Sequence, residues 1–260
     1  AKPATLYPNN RRTPSMQESS SASGLQWRGI VPPLKLSDYK VIAFDMDSTL
    51  IAIETLDEMA DLMGKKAEVA ALTEAAMRGE ITDYKQSLRQ RVALLAGMPQ
   101  AGLDEVYEQR LRLNPGVETL IAACKEAGLF CLLVTGGFTC FTDRLRVRLG
   151  LDDVRANVLE IEDGRLTGRL LAQPWGDLCD GEEKRRKLLE VCASLGVGSE
   201  QAIAVGDGAN DLPMLRTAGL SITPSRPCGR KPRSRSTGAG WISCCGYFLR
   251  QGIDTGSRQA

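Results

Sequence analysis

Val41-Ile42-Ala43-Phe44-Asp45-Met46-Asp47-Ser48-Thr49 is the stretch on which the fold turns. Tyr39 to Phe44 is short and apolar, the pattern of a buried strand, and it ends abruptly in two carboxylates. Ending a buried strand in two anions is costly unless a cation compensates. Alone, the D-x-D triplet also reads as a solvated acidic turn, so its weight depends on what surrounds it.

Working outward, residues 54–112 change to a helical period. Leu56, Met59, Ala60 and Met63 recur at helical spacing, as do Val69, Leu72 and Ala76, then Leu88, Val92 and Leu95. This predicts an all-helical insertion of about 60 residues, since no convincing strand pattern interrupts it. Beyond it, strand and helix alternate. Val117 to Ala127 reads as a helix stopped by Gly128, Phe130 to Val134 as a strand and Phe141 to Leu149 as a helix. Val154 to Leu170 reads as a hairpin around Asp163-Gly164. Lys184 to Leu195 (helix), Ala202 to Val205 (strand), Leu212 to Thr217 (helix) and Leu220 to Ile222 (strand) complete the pattern. Alternation of this kind predicts a three-layer, doubly wound parallel sheet, Rossmann-like, with sites at the carboxyl ends of its strands. Asp45, Thr135 and Asp207 each fall at such an end.

Composition narrows the chemistry. The chain of 260 residues contains no His, which removes the commonest general base, Ser-His-Asp triads and imidazole zinc sites. Eight Cys without C-x-x-C spacing, and no apolar signal segment near the N-terminus, predict free thiols in a reducing cytoplasm. No run approaches the roughly 20 apolar residues of a membrane span. Residues 1–38, rich in Pro, Ser, Asn and Arg, are expected to be disordered or loosely attached.

Gly206-Asp207-Gly208-Ala209-Asn210-Asp211 follows a strand and could be a plain turn, but it also supplies hard oxygen ligands suited to Mg²⁺. Thr135-Gly136-Gly137 offers a hydroxyl and unhindered backbone N–H groups that suit a phosphate oxygen. Lys184, at a helix start, would otherwise read as part of a solvated face. In this order, D-x-D-x-T, Ser/Thr, Lys and G-D-x-x-N-D resemble the haloacid dehalogenase (HAD-like) superfamily. The stretches Asp45 to Glu58, Ala75 to Glu80, Ser87 to Val92, Thr135 to Phe138 and Val205 to Pro213 resemble its phosphoserine phosphatase branch. The likeness runs from about Tyr39 to Ile222. One departure is Thr135, where the branch commonly has Ser.

The resemblance implies an HAD-like core over 39–222 with a helical cap inserted at about 54–112. It implies Mg²⁺-dependent hydrolysis of O-phosphoserine through an aspartyl-phosphate, the last step of serine biosynthesis. A related phosphatase or phosphotransferase acting on another small phosphomonoester is the alternative. It assigns Asp45 as nucleophile and Asp47 as acid and then base. Asp45, Asp207 and the Asp47 backbone carbonyl would hold the metal, with Asp211 orienting metal-bound water. Lys184, Thr135, Gly136 and Asn210 would meet the phosphate side, while Glu54 and Arg91 of the cap would take the substrate's ammonium and carboxylate. The expected partner is that small molecule, with neither nucleic acid nor membrane; a homodimer is compatible with the reading.

Residues 223–260 depart from the rest. Residues 1–222 carry 26 Lys+Arg against 31 Asp+Glu, whereas 223–260 carry seven basic residues and only Asp254. Thr223 to Pro232 is cationic and aperiodic where similar proteins continue with Ala-Lys-Pro, a strand and a helix. One allowed coding of those ten residues, read from its third base, gives Ala-Lys-Pro-Ala-Val-Arg-Ala-Gln-Ala. The segment therefore reads as a frameshifted tail that impairs the chain; a natural basic tail that binds nucleic acid is the rival reading.

Overall fold

The computed structural model describes residues 25–28, 35–78 and 80–224. Seven strands run in chain order: β1 (Leu25–Arg28), β2 (Val41–Phe44), β3 (Phe130–Phe138), β4 (Asp153–Glu162), β5 (Arg165–Leu171), β6 (Ala202–Val205) and β7 (Leu220–Pro224). They form one sheet in the order β1-β7-β6-β2-β3-β4-β5. The five inner strands are parallel, and β1 and β5 close the two edges antiparallel. The α-helices among the described residues are α1 (Thr55–Leu62), α2 (Lys66–Met77), α3 (Tyr84–Ala93), α4 (Ala101–Glu105), α5 (Val117–Glu126), α6 (Thr139–Leu149), α7 (Gly181–Ser194) and α8 (Leu212–Thr217).

The reason β2 reads as an unbroken apolar run is that both its faces are covered. Ile42 and Phe44 pack in one core with Leu120 and Ile121 of α5 and Phe141 and Leu145 of α6. Val41 and Ala43 point the other way, into a second core with Leu188 and Val191 of α7 and Met214 of α8. Successive strand residues alternate faces, so one strand stitches three layers together. Losing a fully buried ring such as Phe44 typically costs about 3–5 kcal/mol.

Between β2 and β3 the described backbone makes an excursion through α1 to α4 before α5 returns it to the sheet. The two ends of this excursion are tied together: Ile51 bridges Leu113, and the buried Asn114 amide donates to the carbonyls of Thr49 (2.8 Å) and Ile51 (3.1 Å). On its far side α3 packs on β5, and Gly97 N–H donates to the Leu166 carbonyl at 2.8 Å. The β4–β5 hairpin turns at Asp163 and Gly164, both at positive φ (48° and 71°), a backbone that Asp tolerates and Gly favours.

The structure differs from the expectation for residues 1–38 in two places. Leu25–Arg28 pairs with Ser221–Pro224 as an antiparallel edge strand, and Leu36–Asp38 forms a turn with Leu36 buried. A parallel sheet's edge strand presents unpaired N–H and C=O groups, and β1 satisfies those of β7. The basic tail expected from 223 onward lies, apart from Thr223 and Pro224, outside the described residues.

Candidate active site

The chain leaves β2 toward β3 and β4 on one side of the sheet and returns to β6 and β7 on the other. The crevice between the carboxyl ends of β2 and β6 is therefore the topological switch point, where open α/β sheets bind ligands. Asp45 follows β2 directly and Asp207 follows β6 with only Gly206 between, and the Asp45 N–H donates to the Val205 carbonyl at 2.9 Å, fixing one end against the other.

Lys184 crosses beneath this crevice. It lies in the first turns of α7, whose start is capped by Asp180 accepting from the Glu183 N–H at 2.9 Å. Its ammonium is fully buried, 2.7 Å from Asp45 Oδ1 and 2.6 Å from Asp211 Oδ1. Burial works against its charge, but Asp45 and Asp211 more than offset this and hold its pKa above the ordinary value. Asp211 passes close to Gly206, where a Cβ would lie 2.5 Å from its Cγ; only Gly leaves that space. Burial, then the charge of Asp45, pushes the Asp211 carboxyl up to about 6, against the pull of Lys184.

Asp45, Asp207 and Asp211 present carboxylate oxygens within 4.8 Å of one another. One ammonium among three carboxylates leaves negative charge in excess, and the donor set is all oxygen, so the trio fits a hard divalent cation. Asp211, expected behind the metal-bound water, lies within the trio itself.

The Asp47 carboxylate points elsewhere. Residues 46–50 make one wide turn, closed by Ile51 N–H to the Met46 carbonyl at 3.0 Å. Within it Asp47 Oδ1 accepts the Thr55 N–H at 2.8 Å, and Oδ2 lies 3.3 Å from the Thr55 hydroxyl. Burial first, then the neighbouring charge of Glu54, raises its pKa well above the carboxylate range despite the Thr55 bonds. A carboxyl that holds its proton more tightly than usual suits protonation of a leaving group. Glu54, exposed, accepts a hydrogen bond from Ser48 Oγ at 2.6 Å. Ser48 itself has φ 54°, an uncommon backbone for a non-glycine residue.

Thr135 is buried at the end of β3, its hydroxyl accepting the Gly137 N–H at 3.0 Å. A Cβ on Gly137 would come within 3.0 Å of Asp47 Oδ2, so the irregular last residues of β3, where the register shifts between Val134 and Phe138, touch the turn after β2. Arg91 is half-buried on α3, and its charge bears on Tyr84 of the same helix and on Asp57 of α1. Asn210 lies in the turn after β6, its carbonyl against the first residue of α7: a Cβ on Gly181 would meet it at 2.7 Å. Its side chain folds back toward Gly208.

Thr49 entered the sequence reading only as the last residue of the D-x-D-x-T motif, and the other contributors escaped it. Thr49 is fully buried with its hydroxyl 3.3 Å from Asp207 Oδ1. Asn157 of β4 donates to the Gly136 carbonyl and accepts the Cys179 N–H, both at 2.8 Å. Tyr84 lies against Gly136. For Tyr84 a signal existed: it stands seven residues before Arg91, which puts both on one helix face. Thr55 donates its own N–H to the Asp47 carboxylate, and Asn157 bonds the backbone of Gly136 and Cys179, contacts that no local pattern announces.

The profile of the haloacid dehalogenase-like hydrolase family matches residues 42–216, and the chain belongs to that family. Within it the chain is similar to phosphoserine phosphatases. It is 64% identical over 207 residues to the phosphoserine phosphatase of Albidiferax ferrireducens, covering 80% of this chain and 87% of that one. A solved substrate-bound phosphoserine phosphatase complex superposes with TM-score 0.64 at 37% identity, covering 70% of this chain and 84% of that one. A phospho-aspartyl intermediate analogue of phosphoserine phosphatase matches equally, at TM-score 0.64 and 37% identity over 70% and 85% of the two chains.

Proposed function

We propose that this chain is a phosphoserine phosphatase: it hydrolyses O-phospho-L-serine to L-serine and phosphate through an aspartyl-phosphate on Asp45, using Mg²⁺. The observation that carries the reading is the buried Asp45–Lys184–Asp211 contact at the switch point, in a chain so similar to phosphoserine phosphatases.

Asp45 attacks phosphorus in line, and a carboxylate nucleophile gives a labile acyl phosphate. Lys184, already against Asp45, offsets the repulsion between an anionic nucleophile and an anionic substrate. Thr135 and the Gly136 N–H receive charge on the equatorial oxygens, the largest demand in phosphoryl transfer. Asp47, protonated, gives its proton to the serine alkoxide as it leaves. Now a base, it takes a proton from the water that hydrolyses the aspartyl-phosphate. Mg²⁺, held by Asp45, Asp207 and the Asp47 carbonyl with Asp211 beside them, would neutralise phosphoryl charge. In the cap Glu54 takes the ammonium of serine, and Arg91 its carboxylate in the planar fork that guanidinium favours. Asn210 sits on the phosphate side.

No helix among the described residues is long and apolar enough to cross a membrane. The setting proposed is the cytoplasm, with a small-molecule substrate and no nucleic-acid or membrane partner. Residues 223–260 are proposed as a frameshifted tail, to be checked in the coding DNA. The function is tested by Mg²⁺-dependent phosphate release from L-phosphoserine by the purified chain. Release comparable from every small phosphomonoester would contradict the substrate assignment.

A further inference from the structure

We infer that the hydroxyl of Tyr84, carried on the cap, is a phosphate-contacting group that completes the phosphate site when α3 lies over the sheet. Tyr84 is the first residue of α3, directly after Asp83, whose carboxylate accepts the Lys85 N–H at 2.9 Å and fixes the helix start. Its ring packs against the main core, while its hydroxyl overlies Gly136 so closely that any side chain at Gly136 would collide with it. Gly136 follows Thr135 in the irregular end of β3, which forms the phosphate loop, and the charges of Lys184, Arg91 and Asp45 all bear on the same phenol. The tyrosine thus brings a cap hydroxyl onto the glycine beside Thr135, within electrostatic reach of Lys184 and Asp45.

Two polar groups of that loop already have partners. The Gly136 carbonyl accepts from Asn157 at 2.8 Å, and the Gly137 N–H donates to Thr135 Oγ1 at 3.0 Å. The Tyr84 hydroxyl is therefore not needed to satisfy either of them. Burial pushes its pKa up to about 12, so it holds its proton at working pH and can donate to an anion. The anionic atoms that must sit beside Thr135, Gly136 and Lys184 are phosphoryl oxygens. Glu54, tied to Ser48 in the turn after β2, belongs to the part of the site that reads the amino acid.

This inference rests on the phosphatase reading above, but it is separable from the choice of substrate. A contact to phosphoryl oxygen is common to every monoester, whereas a contact to the serine part is not. The test is Tyr84→Phe in the full chain with Mg²⁺, which keeps the packed ring and removes only the hydroxyl. Two substrates, L-phosphoserine and p-nitrophenyl phosphate, are compared by kcat/KM, and inorganic phosphate binding is read by calorimetry. The expected result is a fall of about tenfold or more on both substrates, with phosphate bound more weakly by a similar factor, as for a lost hydrogen bond to a charged group. The melting temperature should stay within about 2 °C, as befits a change of a few tenths of a kcal/mol. Equal activity and equal phosphate affinity in Tyr84→Phe would overturn the inference, as would a loss confined to phosphoserine. Wild-type turnover of the aryl ester without turnover of phosphoserine would instead contradict the proposed substrate and leave this contact standing.

Discussion

Lys184 Nζ lies 2.7 Å from Asp45 Oδ1, joining residues 139 positions apart in a contact from which water is almost excluded. The same ammonium serves Asp211 at 2.6 Å, so one cation holds two carboxylates in place. Removing one partner of a buried pair costs about 3–5 kcal/mol, because the remaining charge is left without compensation. Lys184→Met is therefore expected to lower the melting temperature by roughly 10 °C in metal-free buffer. Turnover should fall by at least about 10²-fold, the scale of losing one stabilising donor at a transition state. A variant that melts with the wild type would show that the contact is not formed in solution.

Asp47 gives a pH dependence with a definite sign. Burial and the negative charge of Glu54 raise its pKa, so the acid form survives to higher pH than an ordinary carboxyl would. Activity that needs this proton is lost as pH rises through the raised value. Glu54→Gln removes the neighbouring charge, lowers the Asp47 pKa and should move the alkaline limb of kcat to lower pH. A profile of kcat at saturating phosphoserine checks this, and a limb that stays put or moves up would contradict it.

Glu54, at the start of α1, and Arg91, on α3, both stand on the cap side and are the residues proposed to read the serine part. Because Glu54 also bears on Asp47, the comparison is made at a pH below the alkaline limb. Glu54→Gln and Arg91→Ala are expected to weaken phosphoserine use far more than hydrolysis of an aryl phosphate. Equal losses on the two substrates would remove both residues from the serine-binding role.

Two ion pairs from α3 tie the cap to the core, the exposed Arg89–Asp177 at 2.6 Å and the half-buried Lys85–Asp180 at 3.2 Å. Exposed pairs are worth about 0.2–1 kcal/mol each and weaken with salt. Arg89→Ala should raise KM for phosphoserine by about two- to fivefold. It should also blunt the rise of KM with ionic strength that screening predicts for the wild type. Identical salt curves for the two proteins would mean that the pair does not bias cap position.

Much of the fold could be read from local sequence, and its exceptions have physical causes. Val41–Phe44 and Ala202–Val205 are covered on both faces, so their residues form unbroken apolar runs that betray a buried parallel strand. Asp163-Gly164 announces its turn because few residue pairs accept two positive φ angles. Leu25–Arg28 alternates apolar and polar residues, but four residues inside a Pro- and Ser-rich segment are too few to single out a strand, and its partner β7 lies about 200 residues away. The acidic residues of the crevice stand out by spacing beside strand ends. Their holders do not: Thr55 reaches Asp47, Asn157 reaches Gly136 and Tyr84 reaches over the same glycine through contacts that only the folded chain makes.

The central claim is that phosphate passes through the carboxylate of Asp45, and a rapid acid quench during turnover of ³²P-labelled L-phosphoserine with Mg²⁺ tests it most directly. The account predicts a label on the chain that is stable in acid and released by hydroxylamine. The label should map to the peptide containing Asp45 and be absent from Asp45→Asn, which should also be inactive. Turnover by Asp45→Asn, or a label carried by any other residue, would contradict it.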